Sequence, residues 1–314
     1  MSQPSNIAVL LPCYNEEPCI AGVVTAFRQS LPEAVVYVYD NNSRDKTAQA
    51  AQDAGAIVRK ETYQGKGNVV RRMFSDIEAG IYVIADGDGT YDASAAPELI
   101  RKLIEENLDM VVASRMETES NAYRHGHKLG NYCLTGMVKY LFGFGFTDIL
   151  SGYRVLSRRY VKSFPIASSG FEIETEMSVH ALQLRLPVAE ISTHYGVRLK
   201  ESPSKLNTYR DGFRVLMTIF SLMASERPRL LFGTIAAGFA MVSVVMAIPL
   251  LVTWIQTGLV PRFPTAIFCV GTMLLAAMVL GFGWLLHVVT RGRVETKRLA
   301  YLVQQAVFHD TVKS

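Results

Sequence analysis

The stretch ADGDGTYD, residues 85–92, places three carboxylates within eight residues, directly after the apolar run IYVI. Asp86 and Asp88 alternate at the end of a predicted strand, so both can direct oxygen atoms toward one hard cation. Such a cation bridges the phosphates of a nucleotide and stabilises a departing diphosphate. An isolated D-x-D also forms an ordinary acidic turn, because Asp-Gly favours one. Taken alone, this stretch leaves both interpretations open.

A glycine-rich turn, YQGKGNVVRR at 63–72, opens a predicted helix. Backbone N–H groups at the start of that helix, together with Lys66, could hold an anion. A plain surface turn of the same composition is the alternative. The dinucleotide pattern G-x-G-x-x-G is absent after the first predicted strand, where Pro12 and Asn15 stand, and no Walker pattern occurs.

Two later segments carry further polar groups. TDILSGYRVLSRR (147–159) places Asp148, Ser151 and Arg154 around a glycine, and FEIETE (171–176) contributes three glutamates. A helix beginning there would show Glu172 and Glu176 on one face, four residues apart. Surface ion pairs and a solvated helix face are the alternatives for these groups.

The elements that must position these residues follow from hydrophobic patterning. Short β-branched runs alternate with amphipathic stretches, which predicts β-α units and a mostly parallel α/β sheet. The predicted strands are 7–11, 35–39, 56–59, 81–85 and 110–114, and the predicted helices are Glu17–Ser30, Asp45–Ala54, Asn68–Ala79 and Ser94–Glu106. Ligands of such sheets bind beyond the carboxyl ends of the strands. The polar segments PCYNE (12–16), DNNSRD (40–45) and 86–92 should therefore meet at one edge.

The C-terminal part has a different character. No Asp, Glu, Lys or Arg occurs from Leu230 to Pro261, and a second such run extends from Phe263 to Thr290. Each run exceeds the ~20 apolar residues that cross a bilayer. A two-helix membrane hairpin is therefore predicted, with buried helices of a large soluble protein as the alternative.

Charge placement orients this hairpin. Arg198–Arg229 has a net charge of +4 and Arg291–Ser314 of +3, which together with Arg262 leaves residues 1–197 at −4 within a total of +4. By the positive-inside rule both flanks are expected in the cytoplasm, which predicts a multi-pass protein of the cell membrane whose residues 1–229 stay in the cytoplasm. The apolar run at 7–11 is too short for a signal peptide. The four cysteines form no CxxC pair, so neither disulfides nor a zinc site is expected.

The predicted organisation is a catalytic domain at 1–205, an amphipathic interfacial segment at 206–229, two transmembrane helices at 230–290 and a cytosolic helix at 291–314. In the interfacial segment Phe213, Leu216, Met217, Phe220 and Met223 share one face, as in helices that lie in a membrane surface. Packing of this face on the soluble domain is the alternative.

In this order, PCYNE, DNNSRDKT, GKGN, ADGDGTYD, ASR, DILSGYR, FEIETE and SKLNTYRDG resemble the polyprenyl-phosphate glycosyltransferases of glycosyltransferase family 2. Dolichyl-phosphate mannose synthase and bactoprenol glucosyltransferase are familiar members. The resemblance covers about residues 6–225. It implies a GT-A fold, with a Rossmann-like mixed sheet, and inverting transfer of one hexose from a UDP- or GDP-linked sugar to a polyprenyl phosphate.

Site residues carry over by matching motif. The nucleotide sugar would contact Pro12, Tyr14, Glu16, Asp40, Asn42, Lys66, Asp86 and Gly87. Asp86 and Asp88 would bind Mg²⁺ or Mn²⁺, and Asp88, Asp148 and Arg115 are the catalytic candidates. The acceptor phosphate would contact Arg115, Lys128, Ser151, Arg198 and Lys205. Thr90 stands where many relatives have a glutamine, which puts a third metal ligand in doubt, and Lys128 stands where they often have arginine.

The resemblance also implies partners and rivals. The expected partners are a nucleotide sugar, a polyprenyl phosphate lipid and the membrane, but no nucleic acid; the tail Glu295–His309 offers a surface for a homo-oligomer. A processive polysaccharide synthase of the same fold is the first rival, although its Q-x-x-R-W motif is absent and both tryptophans, Trp254 and Trp284, lie in the apolar runs. A non-enzymatic lipid-carrier flippase or anchoring subunit is the second.

Overall fold

Seven strands form one mixed sheet in the N-terminal part of the chain. The computed structural model describes residues 6–116, 135–140, 142, 146–170, 172–196, 217 and 220–304. The strands are β1 Ile7–Cys13, β2 Val35–Asp40, β3 Ile57–Lys60, β4 Ile81–Ile84, β5 Met110–Met116, β6 Arg154–Ser157 and β7 Val188–His194. The helices are α1 Glu17–Ser30, α2 Thr47–Asp53, α3 Lys66–Asp76, α4 Ala96–Glu105, α5 Arg158–Ser163, α6 Ile173–Leu184, α7 Pro228–Thr257 and α8 Phe263–Val303.

The strand order is β3-β2-β1-β4-β6-β5-β7. All neighbouring pairs are parallel except those made by β6, which runs antiparallel to both β4 and β5. The five predicted strands are therefore present, and β6 and β7 are additions that the sequence patterning did not predict. The predicted α/β class with a mixed sheet is confirmed.

Burial explains why these segments adopt their conformations. All four residues of β4 are buried, as expected for a central strand covered on both faces. Helix α4 buries Leu99, Ile100 and Leu103 on one side, and its exposed side carries the i,i+4 ion pairs Arg101–Glu105 and Lys102–Glu106. The sheet and its helices thus form a rigid platform for the loops at the carboxyl ends of the strands.

The chain divides into two compact units, Met1–Phe213 with Thr296–Ser314, and Arg214–Glu295. In the second unit α7 and α8 pack side by side: Phe232 contacts Phe282 edge to face at 5.6 Å, and Ser243 Oγ donates to the Cys269 carbonyl at 2.7 Å. These pairings run in opposite directions along the two helices, so the helices form an antiparallel hairpin. Gly258 ends α7 in the left-handed conformation, with φ 69°.

Both helices of the hairpin are long and apolar enough to cross a membrane. Only 11% of the apolar stretch of α7 and 17% of that of α8 is buried within the protein. This exposure argues against the alternative that they are core helices of a soluble protein. Helix α8 continues past Thr290, where the second uncharged run ends, and an Arg291–Glu295 ion pair lies on the continuation.

The last turns of α8 belong to the first unit. Tyr301 donates its hydroxyl proton to Asp109 Oδ2 at 2.7 Å, and the Arg159 guanidinium lies over the Tyr301 ring at 4.7 Å. Asp109 is fully buried and also accepts two hydrogen bonds from Arg159. Lys297 Nζ donates to Gln183 Oε1 at 2.9 Å. The end of α8 is thereby fixed to the edge of the sheet where β5 begins.

His180 lies inside α6 and makes a testable contribution to stability. It packs against the rings of Tyr160 and Phe164, and among the residues that the structure describes neither of its buried ring nitrogens has a hydrogen-bond partner. Burial, assisted by Lys297, lowers the pKa of His180 to about 3. The unfolded chain binds this proton near pH ~6.5, so stability should fall as the pH drops from that value toward 3, by at most ~1.4 kcal/mol per pH unit.

We therefore expect His180→Leu to raise the free energy of unfolding by about 1 kcal/mol at neutral pH, because it removes an unpaired buried polar group. The variant should also lose less stability than the parent between pH 6.5 and 4. Thermal unfolding of both proteins in the same detergent across this pH range measures the effect. Parallel curves for the two proteins would contradict it.

Candidate active site

The polar ends of three adjacent strands meet at one edge of the sheet. In the register of the parallel pairs, Cys13 lies beside Asp40, and Leu10 lies beside Ile84. The segments 12–16, 40–45 and 86–92 therefore follow β1, β2 and β4 on the same side, as the strand predictions required. We call this side of the sheet the polar edge.

Hydrogen bonds connect the loop after β1 to the loop after β2. Ser43 Oγ accepts the Asn15 N–H at 2.9 Å, and Thr47 Oγ1 accepts the Glu16 N–H at 2.9 Å. Asp40 is nearly buried, and its carboxylate oxygens accept the Ser43 N–H. These contacts connect the two segments that carry the predicted nucleotide-sugar residues Pro12, Tyr14, Glu16, Asp40 and Asn42. Their contact with a nucleoside stays a prediction.

The acidic loop after β4 is held by its own small residues. Asp88 Oδ1 accepts hydrogen bonds from the Thr90 N–H at 3.1 Å and the Thr90 hydroxyl at 2.6 Å. Thr90 therefore orients Asp88, a role that its position in the motif did not indicate. Gly87 lies so close to β1 that a Cβ atom there would be 2.4 Å from Cys13 Sγ. The third acid, Asp92, caps the turn that leads to α4 by accepting the Ser94 N–H.

A buried ammonium group joins this loop to α6. Lys66 Nζ donates to Asp86 Oδ1 and to Glu174 Oε1, the latter at 2.5 Å. Burial by itself would lower the pKa of Lys66, but the two carboxylates outweigh it and hold that pKa above its ordinary value. Lys66 therefore carries a fixed positive charge at the polar edge.

Glu174 is the residue of this cluster that sequence reasoning missed. The predicted pair was Glu172 and Glu176, but Glu176 accepts hydrogen bonds from the Ala167 and Ser168 backbone and so serves the neighbouring loop. Glu174 instead lies with Ser178 and Ala181 on the buried side of α6. The sequence contained one signal for this: Glu174 shares a helix face with the small residues Ser178 and Ala181, which indicates that its side chain lies on the buried side.

The glycines around Lys66 have a packing role. The Gly67 N–H donates to the carbonyls of Ser169 and Gly170, both at 3.1 Å, and the Gly65 N–H donates to Asn41 Oδ1 at 2.7 Å. A Cβ atom at Gly65 or Gly67 would lie 2.2 or 2.3 Å from the carbonyl oxygens of this loop. The expectation that these N–H groups are available to an anion was therefore wrong for Gly65 and Gly67. Their close packing instead fixes where Lys66 points.

Arg115 and Asp148 form a two-point ion pair. Arg115 Nε and Nη2 donate to the two Asp148 oxygens at 2.6 and 2.7 Å, and the guanidinium lies 5.4 Å from the centre of the Tyr195 ring. Burial opposes ionisation of Asp148, but the hydrogen bonds from Arg115 hold the pKa of that carboxyl below its ordinary value. The pair orients the Arg115 guanidinium at the end of β5.

Arg154 and Ser151 shape the turn between Asp148 and β6. Arg154 is fully buried, and its guanidinium donates to the carbonyls of Ser151 and Ile149 and to Ser178 Oγ. Ser151 is fully buried as well, and its hydroxyl donates to the Ala113 carbonyl at 2.6 Å. This geometry favours a structural role for Ser151, and its contact with the acceptor phosphate stays a prediction.

The turn held by Arg154 brings backbone to the acidic loop. Arg154 lies opposite Ile84 in the β4–β6 register, so the residues before it reach the polar edge. A Cβ atom at Gly152 would be 2.8 Å from Asp86 Oδ2 and 3.0 Å from Lys66 Nζ. The Gly152 N–H donates to the Tyr91 hydroxyl at 2.8 Å. The structure thus gathers Lys66, Asp86, Gly152 and Glu174 in one place.

The remaining acceptor candidates, Lys128, Arg198 and Lys205, lie outside the residues that the structure describes. Among the residues it does describe, no group of three or more His, Cys, Asp or Glu side chains is placed to hold a metal ion. Asp86 and Asp88 offer two carboxylates at a loop tip. Hard oxygen donors of this kind fit Mg²⁺ or Mn²⁺ when a nucleotide diphosphate and water complete the set.

Comparison with known proteins gives consistent results. The family model described as glycosyl transferase family 2 matches residues 8–164. Glycosyltransferase AglJ of Haloferax volcanii is 32% identical over 256 residues, covering 81% of this chain and 83% of that protein. A dolichyl-phosphate hexose transferase of the same organism is 24% identical over 225 residues, covering 72% and 97%.

Among solved structures, glucosyl-3-phosphoglycerate synthase from Mycobacterium tuberculosis has a similar fold. Its complex with Mn²⁺, uridine diphosphate and glucosyl-3-phosphoglycerate matches with a TM-score of 0.55 and 22% sequence identity, covering 68% of this chain and 80% of that one. The likeness confirms the predicted GT-A class of fold.

Proposed function

This chain belongs to glycosyl transferase family 2, and from that premise we propose that it transfers one hexose, with inversion, from a nucleoside-diphosphate sugar to a polyprenyl phosphate. It is a glycosyltransferase that uses a nucleotide sugar. The lipid acceptor is our inference, supported by the relative that is a dolichyl-phosphate hexose transferase. Transfer of a single sugar agrees with the absence of the Q-x-x-R-W motif.

One observation carries the proposal. The polar edge with Asp86, Asp88 and Lys66 belongs to the same chain as two helices whose apolar faces are largely unburied. A site built for a diphosphate and a chain built to associate with a membrane together favour an acceptor that is both a phosphate and a lipid. A water-soluble acceptor would leave the apolar helices without a purpose in the reaction.

The proposed transfer to a phosphate requires little proton transfer by the protein. A phosphate monoester has a second pKa near ~6 and is largely a dianion at neutral pH, so it attacks the sugar carbon without a strong general base. Positioning and electrostatic stabilisation then provide most of the rate increase. The proposal therefore assigns no residue as a general base.

In this proposal each group at the edge has a distinct task. Asp86 and Asp88 would hold Mg²⁺ or Mn²⁺, which supplies charge stabilisation to the leaving diphosphate. Lys66 places a positive charge beside Asp86. Arg115, oriented by Asp148, would face the acceptor phosphate together with Lys128, Arg198 and Lys205. Asp40 and Glu16 would bind the nucleoside from the interlocked loops after β1 and β2.

We also propose the membrane arrangement predicted from charge. The catalytic domain (1–205), the interfacial segment (206–229) and the C-terminal helix (291–314) would lie on the cytoplasmic side, with the hairpin (230–290) in the cell membrane. The +4 and +3 flanks support this orientation. Accessibility of single cysteines introduced near Gly258 and near Arg293 to a membrane-impermeant reagent on whole cells tests it; labelling only near Gly258 is the expected result.

The decisive experiment for the function is an assay of the full chain in detergent or vesicles. A panel of radiolabelled UDP- and GDP-sugars is incubated with short polyprenyl phosphates, with and without EDTA. We expect one nucleotide sugar to give a monoglycosylated lipid phosphate, and EDTA to abolish it. A long polymer would favour a processive synthase, and no transfer with any donor would overturn the proposal.

A further inference from the structure

We infer that Glu174 is a positioning residue for the donor side of the reaction: it holds the Lys66 ammonium beside the diphosphate site while Asp86 serves the cation. The inference rests on the proposed function, because it assigns a task to a residue of the same site. The observation behind it is that the Lys66 ammonium lies between two carboxylates, of which Glu174 is buried and Asp86 is partly exposed.

The two carboxylates differ in what surrounds them. The Glu174 side chain is 6% exposed, whereas that of Asp86 is 31% exposed at the tip of the acidic loop. An ionised carboxylate buried as deeply as Glu174 is costly unless a cation remains beside it. The exposed partner can turn an oxygen toward a ligand, and the buried one cannot. Glu174 is therefore the lasting partner of Lys66.

Glu174 is itself held firmly. It lies in the first turn of α6, and its backbone carbonyl accepts the Ser178 hydroxyl at 3.0 Å. Ser178 Oγ in turn accepts a hydrogen bond from buried Arg154 at 2.8 Å. Arg154 also fixes the turn that carries Gly152, so the same buried guanidinium supports both α6 and the backbone next to Asp86. Rigid support of this kind is what keeps a binding group in place.

Lys66 is constrained from its own side as well. Gly65 and Gly67 pack against the loop at 168–170, which prevents the start of α3 from shifting outward. The ammonium, with Gly152 closing one side, is thus fixed by its backbone and by Glu174. A positive charge that is fixed before the reaction stabilises charge on a leaving diphosphate without reorganisation. Loss of Glu174 should therefore weaken donor binding through Lys66.

A double-mutant cycle tests this. Glu174→Gln, Lys66→Met and the double variant are compared for nucleotide-sugar binding, measured by titration calorimetry without acceptor, and for transfer. We expect Glu174→Gln to weaken donor binding by about 10- to 100-fold, the size of effect seen when the hydrogen-bond partner of a metal ligand is lost. The double variant should be no weaker than Lys66→Met, because Glu174 acts through Lys66.

Two further variants distinguish a specific effect on donor binding from a general loss of folding. Glu174→Asp keeps the charge at shorter reach and should bind donor with intermediate affinity. Asp109→Asn removes an equally buried carboxylate at the opposite edge of the sheet; it should lower thermal stability without changing donor affinity. Acceptor KM should stay unchanged in all Glu174 variants.

Additive effects in the cycle would overturn the inference, since Glu174 would then contact the donor by itself. So would unchanged donor affinity in Glu174→Gln, or an Asp109→Asn effect of equal size. These failures leave sugar transfer by the parent protein intact. Failure of the parent to transfer sugar to any polyprenyl phosphate would instead sink the proposed function, and donor binding would still test Glu174.

Discussion

Asp88→Asn should reduce sugar transfer by about 10³-fold while leaving the protein folded. Two carboxylates at the tip of the acidic loop would hold the cation, and loss of several kcal/mol of stabilisation at the leaving diphosphate corresponds to a rate effect of this size. Asparagine keeps an oxygen that can accept from Thr90, so the loop geometry should persist. Transfer rates measured across a titration of Mg²⁺ and Mn²⁺ check the prediction, and the variant should need far more metal.

Asp92→Asn provides the matched control. It changes the same functional group four residues away in the same loop, where the carboxylate caps the turn by accepting the Ser94 N–H. Its loss should cost about 1 kcal/mol of local stability at most and leave the metal dependence unchanged. If Asp88→Asn transferred sugar as well as Asp92→Asn does, the assignment of the cation to this loop would be wrong.

Arg198→Ala combined with Lys205→Ala should lower kcat/KM for the lipid phosphate by about 100- to 1,000-fold. Each charged hydrogen bond to a phosphate contributes ~2 kcal/mol, and two are removed. Nucleotide-sugar affinity should not change, because the residues proposed to bind the donor follow β1, β2 and β4. The measurement compares kinetics over polyprenyl phosphate concentration with donor binding in the absence of lipid.

Arg101→Ala with Lys102→Ala is the control for the loss of two positive charges. Both residues lie on α4, where they form i,i+4 pairs with Glu105 and Glu106, and such surface pairs contribute little to stability. This control should keep full acceptor kinetics. An equal loss of donor and acceptor binding in the Arg198 and Lys205 variant would contradict a role specific to the lipid phosphate.

Local patterning predicted much of the platform. Helix α1 occupies the predicted Glu17–Ser30, since a proline at its start and an apolar stripe mark it clearly in the sequence. By contrast, β6 is only four residues long and fully buried. A run of that length has no periodicity that distinguishes a strand from a helix segment. No local sequence pattern indicates that it pairs antiparallel between β4 and β5.

The sequence could propose a site where the residues are neighbours along the chain. Asp86 and Asp88 lie in one loop, and their motif predicts them as ligands for a cation. Glu174 contacts Lys66 across 108 positions of the chain, and no local pattern encodes a contact of that separation. The packing role of Gly65 and Gly67 was hidden for the same reason, because the loop that they contact is equally remote.

The direction of β6 has a consequence for how enzymes of this architecture can diversify. Because β6 runs against β4 and β5, the chain leaves β5 at Met116 and enters β6 at Arg154 on the same side of the sheet. Insertions between these points cost little closure entropy and leave every strand pairing intact. The interval between β5 and β6 can therefore vary in length or sequence among relatives without disturbing a strand pairing, and it begins and ends at the polar edge.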